Sequence, residues 1–188
     1  MVAREGEVQQ RKTGMREVIA GRLRRWMFYL YPCYRGTGGR LKHVAADWSE
    51  VRLELPLSRR TRNYVGTIFG GSIYGAADPI YMLMLIKRLG AGYVVWDRAA
   101  RIEFLKPGRT TLQARFSVPD EEIAAIRTTL ERERSTNRTY SVELVDGNGE
   151  VCARVEKVIY IRRNQVSPSG GGSSSSEDSI SRPSSEAR

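Results

Sequence analysis

Histidine is almost absent from this sequence: 188 residues contain one, His43, beside two cysteines, Cys33 and Cys152. One imidazole and two thiols far apart in the chain show none of the spacings of a structural zinc site, so no metal centre is expected. The scarcity also narrows nucleophilic catalysis. A Ser–His or Cys–His pair would have to use His43, which lies in a basic, polar stretch with no motif around it. So few cysteines point to free thiols in a reducing, cytoplasmic setting. No apolar run reaches the eighteen or so residues that a membrane-spanning helix needs. The first 25 residues alternate acids, bases and polar groups, without the apolar stretch and small-residue cleavage site of a secretory signal.

Positive charge, by contrast, is in excess, at a formal net +10. Arginines cluster at Arg22, Arg24 and Arg25, at Arg59, Arg60 and Arg62, and at Arg162 and Arg163. Such runs usually form solvated surface. The middle cluster, just before a glycine-rich turn, also suits phosphate oxygens, which guanidinium forks match in geometry. Nucleic-acid binding is not expected, because the basic residues are neither interleaved with stacking aromatics nor set in a known module.

Along the chain, residues 1–14 read as a disordered N-terminal segment, and Met15 is an alternative start to Met1. Arg16 to Tyr31 has apolar residues at helical spacing and basic ones elsewhere, an amphipathic helix that Pro32 ends. Packing over the core is one role for it; resting on an anionic membrane surface or covering an acyl chain is another. A strand pattern begins near Leu41, and Val51, Leu53, Leu55 and Leu57 alternate with polar partners. A helix is expected from Gly70 to Leu89, kinked or divided by Pro79, with its second half apolar on every side and so buried all round. Tyr93 to Lys106 reads as a strand with Trp96, Ala100, Ile102 and Phe104 on one face. Leu112, Ala114, Phe116 and Val118 alternate with Gln113, Arg115 and Ser117. Asp120 is placed to cap a short helix with an Ile123, Ile126, Leu130 stripe. Tyr140 to Val145 and Val151 to Ile161 form a hairpin around Asp146-Gly147-Asn148-Gly149. Residues 15–164 thus make one α+β domain, and residues 165–188 a disordered Ser/Gly-rich tail.

The chemistry concentrates between Asn63 and Asp78, N-Y-V-G-T-I-F-G-G-S-I-Y-G-A-A-D. Gly70 and Gly71 open the helix and offer amides that a ligand can approach closely. Asp78 follows seven residues after Gly71, among small and apolar neighbours. An ionised group in such a setting needs a task or a partner, and an Asp before Pro can also serve as a local helix cap. Donor amides and one carboxylate suffice to polarise a carbonyl and deliver water to it.

This stretch resembles the signature of the phenylacetate-type acyl-CoA thioesterases of the hotdog superfamily, N-x-x-G-T-x-H-G-G followed by a helix carrying Asp, with Phe69 where that pattern has His. From Trp26 to Arg163 the chain is similar to the DUF4442 branch. The resemblance implies an α+β hotdog fold, a five-stranded antiparallel sheet wrapped around a long central helix, and a homodimer or tetramer with sites between subunits. It further implies an acyl-CoA or acyl-carrier thioester as substrate and no cofactor. Gly71, with Gly70, would hold the carbonyl oxygen, Asp78 from the partner subunit would act as general base or nucleophile, and Asn63 would position water or hold the loop. Phe69 would stand at the site edge, Trp96 would line the acyl channel, and Arg59, Arg60 and Arg62 would meet the nucleotide. A non-catalytic acyl- or lipid-binding domain, with peripheral membrane contact through the basic helix, is the rival reading. A dehydratase would need a His–carboxylate pair, for which His43 is the sole source.

Overall fold

The structure, a computed structural model, describes residues 21, 28 and 30–164. The expectations for residues 1–14, for most of the amphipathic helix and for residues 165–188 lie outside the described residues. At Pro32 the chain does more than end a helix. Tyr31 is extended and Pro32 starts a new short helix, α1 (Pro32–Thr37). Proline is at ease there because the first helical amide has no intrahelical acceptor to lose.

Six strands, β1 (Arg40–Val44), β2 (Glu50–Leu55), β3 (Tyr93–Phe104), β4 (Leu112–Ser117), β5 (Ser135–Val145) and β6 (Val151–Arg163), form one sheet in the order β1-β2-β4-β5-β6-β3. All pairings are antiparallel. The sheet therefore has six strands rather than the expected five. The sixth place is taken by β1, which buries Leu41 and Val44 and folds back on β2 through a turn containing Trp48 at φ 62°.

Alternation in β4 assigns its faces as expected. Leu112, Ala114, Phe116 and Val118 are buried, while Gln113, Arg115 and Ser117 are exposed. Each large apolar side chain so buried contributes roughly 1.5–3 kcal/mol. Two helices lie against this inner face, α2 (Gly70–Ala77) and α3 (Ile80–Leu89), in place of one long helix. Asp78 and Pro79 keep helical dihedrals between them. The break arises because proline has no amide to donate back along the helix. Helix α3 is not buried all round: Ile80, Tyr81, Met84, Leu85 and Leu89 face the core, whereas Met82, Leu83 and Ile86 are only partly covered.

Strand β3 departs from its expected face. A bulge at Arg98, between the pairs Asp97–Ile159 and Ala99–Val158, adds one residue. That insertion inverts the facing of everything beyond it. Ala100, Ile102 and Phe104 oppose Lys157, Val155 and Ala153 on the inner side, but Trp96 opposes Tyr160 on the outer side. Between β4 and β5, α4 (Asp120–Arg132) buries Ile123, Ile126 and Leu130. It runs 13 residues, so it is not short, and Asp120 is its first residue rather than its cap. The Asp120 carboxylate instead pairs with Arg88, whose guanidinium also donates to the Val118 carbonyl. Among the described residues no helix is long and apolar enough to cross a membrane.

Candidate active site

The loop before α2 is tied by its own side chains. Asn63 donates from Nδ2 to Thr67 Oγ1 at 2.9 Å, and its Oδ1 accepts the Thr67 amide at 3.0 Å. Phe69 donates its amide to the Thr61 carbonyl at 2.7 Å and takes an extended conformation as the N-cap of α2. Its carbonyl accepts the amides of Ser72 and Ile73. The two amides ahead of these, on Gly70 and Gly71, are left at the positive end of the helix. A methyl on Gly70 would stand 2.8 Å from Phe104 Cζ, and one on Gly71 would meet the Phe69 ring, so either would push an exposed aromatic ring aside. Asn63, Thr67, Gly70, Phe104, Lys106 and Pro107 are among the walls of a cavity of about 390 Å³ at this end.

Asp78 opens elsewhere. It lines a mainly apolar cavity of about 520 Å³ between α1 and the helix break, with Phe28, Tyr34, Gly75, Leu83 and Lys87 among its other walls. Seven residues of helix place Asp78 about 10 Å along from Gly71, and the two glycine amides do not line its cavity. One chain thus does not aim Asp78 and Gly71 at the same atom. Nor does the Asp78 side chain cap the second helix: Asp78 is the C-cap residue of α2, and α3 begins after Pro79 with no side-chain cap.

The partner of Asp78 comes from the sheet. Lys157, on the inner face of β6 and 1% exposed, donates to Asp78 Oδ1 and lies 3.0 Å from Asp97 Oδ2. Its third neighbour is the Tyr74 hydroxyl at 3.5 Å, with the ammonium 5.5 Å from that ring's centre. Burial alone would pull the Lys157 ammonium down, but the two carboxylates outweigh it and hold it above the usual lysine range. Burial pushes Asp97 up, partly offset by Lys157 and reinforced by Asp78. Tyr74 is raised by burial and by its hydrogen bond to Asp78. Oδ1 of Asp97 is buried without a hydrogen-bond partner among the described residues.

Lys157, Asp97 and Tyr74 escape a reading of motifs. The one available signal is that Lys157 keeps the phase of Ala153, Val155, Ile159 and Ile161, a charge amid neighbours on that face that are all buried. Other expected residues lie apart. Trp96 is 49% exposed on the outer face and stacks on Tyr160 at 5.1 Å, which places it off the inner face that carries the helices. Arg59, Arg60 and Arg62 are exposed in the turn leading to the α2 loop. His43 is exposed on β1, at the sheet edge opposite β3, and does not join the carboxylates.

With this geometry in place, the comparison with known proteins is decisive for the family. The model of DUF4442, a domain of unknown function, matches residues 20–161. The chain belongs to the DUF4442 family. No curated protein sequence matches it. Among solved structures, this DUF4442 chain is similar to a Pseudomonas aeruginosa protein of unknown function described as a probable thioesterase. The two share 17% identity at a TM-score of 0.63, over 69% of this chain and 86% of that one. A thioesterase from Haemophilus influenzae aligns at 14% identity and a TM-score of 0.51, over 69% of this chain and 81% of that one. The PaaI protein of the Escherichia coli phenylacetic acid degradation operon aligns at 17% identity and a TM-score of 0.52, over 73% and 88%. These likenesses show that this DUF4442 member shares the fold of those proteins, α+β with an antiparallel sheet.

Proposed function

We propose that the protein hydrolyses an acyl thioester, carried by coenzyme A or an acyl carrier, at a site completed by a second copy of the chain. The observation that carries this reading is Asp78: a charged group at a helix break, held by a buried lysine, opening into a mainly apolar cavity on the helix pair that begins with Gly70 and Gly71. The distance along one helix between Asp78 and Gly71 is what calls for the second copy. Edge strand β3 supports it, since Phe104 is 57% exposed and Ala100 is exposed although both sit on the inner face. In such a dimer the Gly71 amide of one subunit, with Gly70, would receive the carbonyl oxygen, and Asp78 of the other would take a proton from water. Hydroxide adds to the carbonyl carbon, the C–S bond breaks, and the thiolate leaves with the proton that Asp78 held. Donors fixed before reaction are worth a few kcal/mol toward such an oxyanion, about 3–4 for one. Direct attack by Asp78 on the carbonyl is the other route to the same products. Asn63 then holds the loop rather than the water, and Arg59, Arg60 and Arg62 supply charge for phosphates.

A non-catalytic acyl-binding domain is the second reading, favoured by the apolar cavity itself and by Phe69 at the helix cap. Hydrolysis of a panel of acyl-CoA thioesters, with Asp78→Asn as the paired control, separates the two. The hydrolase reading expects turnover to fall by about two to four orders of magnitude in the variant with folding retained. Equal rates in both proteins would remove Asp78 from the mechanism. Retention of acyl ligands without any hydrolysis would favour the binding domain.

A further inference from the structure

A lysine in the middle of a sheet's buried face is costly unless every proton it carries finds an acceptor. Lys157 meets that condition with three neighbours, Asp78, Asp97 and Tyr74. The arrangement is asymmetric in a useful way. Two carboxylates share one ammonium, so the cluster carries one net negative charge. Only Asp78 of the two is among the residues that wall the apolar cavity. Asp97 sits behind the lysine on β3, half-buried, with one oxygen unpartnered among the described residues.

We propose that Lys157 is the positioning residue of this site: it pins Asp78 Oδ1 and screens Asp78 from the like charge of Asp97, so that one carboxylate stays ionised and aimed at the cavity. The proposal rests on the hydrolase reading for its kinetic consequence, though not for its electrostatic one. Without the lysine, two carboxylates would face each other in a poorly solvated place, where like charges force one to take up a proton. A protonated Asp78 cannot accept the proton of water. Among the described residues the groups that face Asp78 are few. They are Lys157 and Asp97 from the sheet, Tyr74 from α2, and Lys87 from α3. Tyr31, Cys33 and Tyr34 add to these from the α1 side of the cavity. Lys157 alone among them touches both carboxylates. No other facing cation can replace it without moving.

The test compares Lys157→Met, Lys157→Arg and Lys157→Met/Asp97→Asn with the parent protein, each checked for folding by thermal melting. Proton uptake by the Asp78–Asp97 pair is followed by 13C NMR of carboxyl-labelled aspartate, assigned with the single Asn variants. In Lys157→Met the pair should take up one proton about one to three pH units higher than in the parent, the usual effect of losing an adjacent opposite charge. The acid limb of the kcat/KM profile should move the same way, so that turnover is lost mainly on the acid side of neutrality. Lys157→Arg, which keeps the charge, should retain the parent pH profile. Adding Asp97→Asn to Lys157→Met should move the acid limb back toward the parent's position by removing the repulsion, a rescue that a purely structural lysine would not show. If Lys157→Met folds and its proton uptake and pH profile match the parent, the proposal is wrong. If Lys157→Met does not fold, the other two variants decide. A shifted profile in the arginine variant, or a folded double variant whose acid limb still lies about one to three pH units above the parent's, overturns it. If the parent hydrolyses no thioester, the hydrolase reading fails separately, and the NMR result alone decides whether Lys157 governs the pair.

Discussion

Gly39 packs so closely under Ala76 that a methyl group on Gly39 would stand 2.8 Å from the alanine methyl. Leu53 Cδ1 and the Tyr34 hydroxyl close the same space at 3.2 Å. The Tyr34 hydroxyl in turn donates to the Ala76 carbonyl at 3.2 Å, so the middle of α1 is fastened to α2 two residues before Asp78. This junction sets one wall of the cavity that Asp78 lines. Because Ala76 is fully buried and rigidly helical, it has little room to give. Gly39→Ala is therefore expected to destabilise the fold by about 1–3 kcal/mol, the usual result of overpacking. Each kcal/mol should lower Tm by roughly 2–4 °C in a chain of this size. A melting temperature equal to the parent's would show that α1 is not clamped in this way.

Alkaline pH should weaken the fold through its tyrosines. Burial pushes the Tyr81 phenol up to about 12, burial and the hydrogen bond to Glu122 push Tyr140 up, and Tyr74 is raised as well. In the unfolded chain these phenols ionise near pH 10. Above that pH the unfolded state loses protons that the folded state keeps. The stabilisation is then complete below about pH 10 and declines as pH rises toward 12. Urea midpoints measured at pH 9, 10 and 11 should fall in that order. Tyrosinate absorbance of the native protein should show a late-ionising class among its nine tyrosines. A single native titration near pH 10 would contradict the burial of Tyr81 and Tyr140.

Arg60→Ala tests the contact with phosphate. Arg60 is exposed, so its loss should leave the fold and kcat nearly unchanged and raise KM for an acyl-CoA substrate several-fold at low salt. The difference should shrink as salt is added, because exposed charges are screened within about 10 Å at 0.1 M. An effect on kcat alone, or one insensitive to salt, would count against the role.

Assembly is open to direct measurement. With β3 at the sheet edge and its inner-face Phe104 uncovered, the protein is expected to be a dimer or larger at micromolar concentration. Light scattering across a concentration series reads this directly. A monomer throughout would remove both the shared site and the mechanism built on it.

Features that depend on a few neighbouring residues are legible in the order of the residues alone. The faces of β4 follow from strict alternation between Leu112 and Val118, because successive side chains of a strand point to opposite sides. The division of the helix pair follows from the missing amide of Pro79, and the Ile123, Ile126, Leu130 stripe from the 3.6-residue repeat. Gly70 and Gly71 mark a helix start for the same local reason. Features that depend on register and long-range pairing emerge from the folded chain. The bulge at Arg98 sends Trp96 outward, although Trp96 and Ala100 share a face under plain alternation. Asp120 abandons the cap for Arg88, 32 residues away. Lys157 reaches Asp78 across 79 residues of chain, since β6 lies under the helix break. Local sterics and periodicity act within a turn or two of chain, so residue order records them. An ion pair between layers depends on where two distant segments are placed by the packing of everything between them.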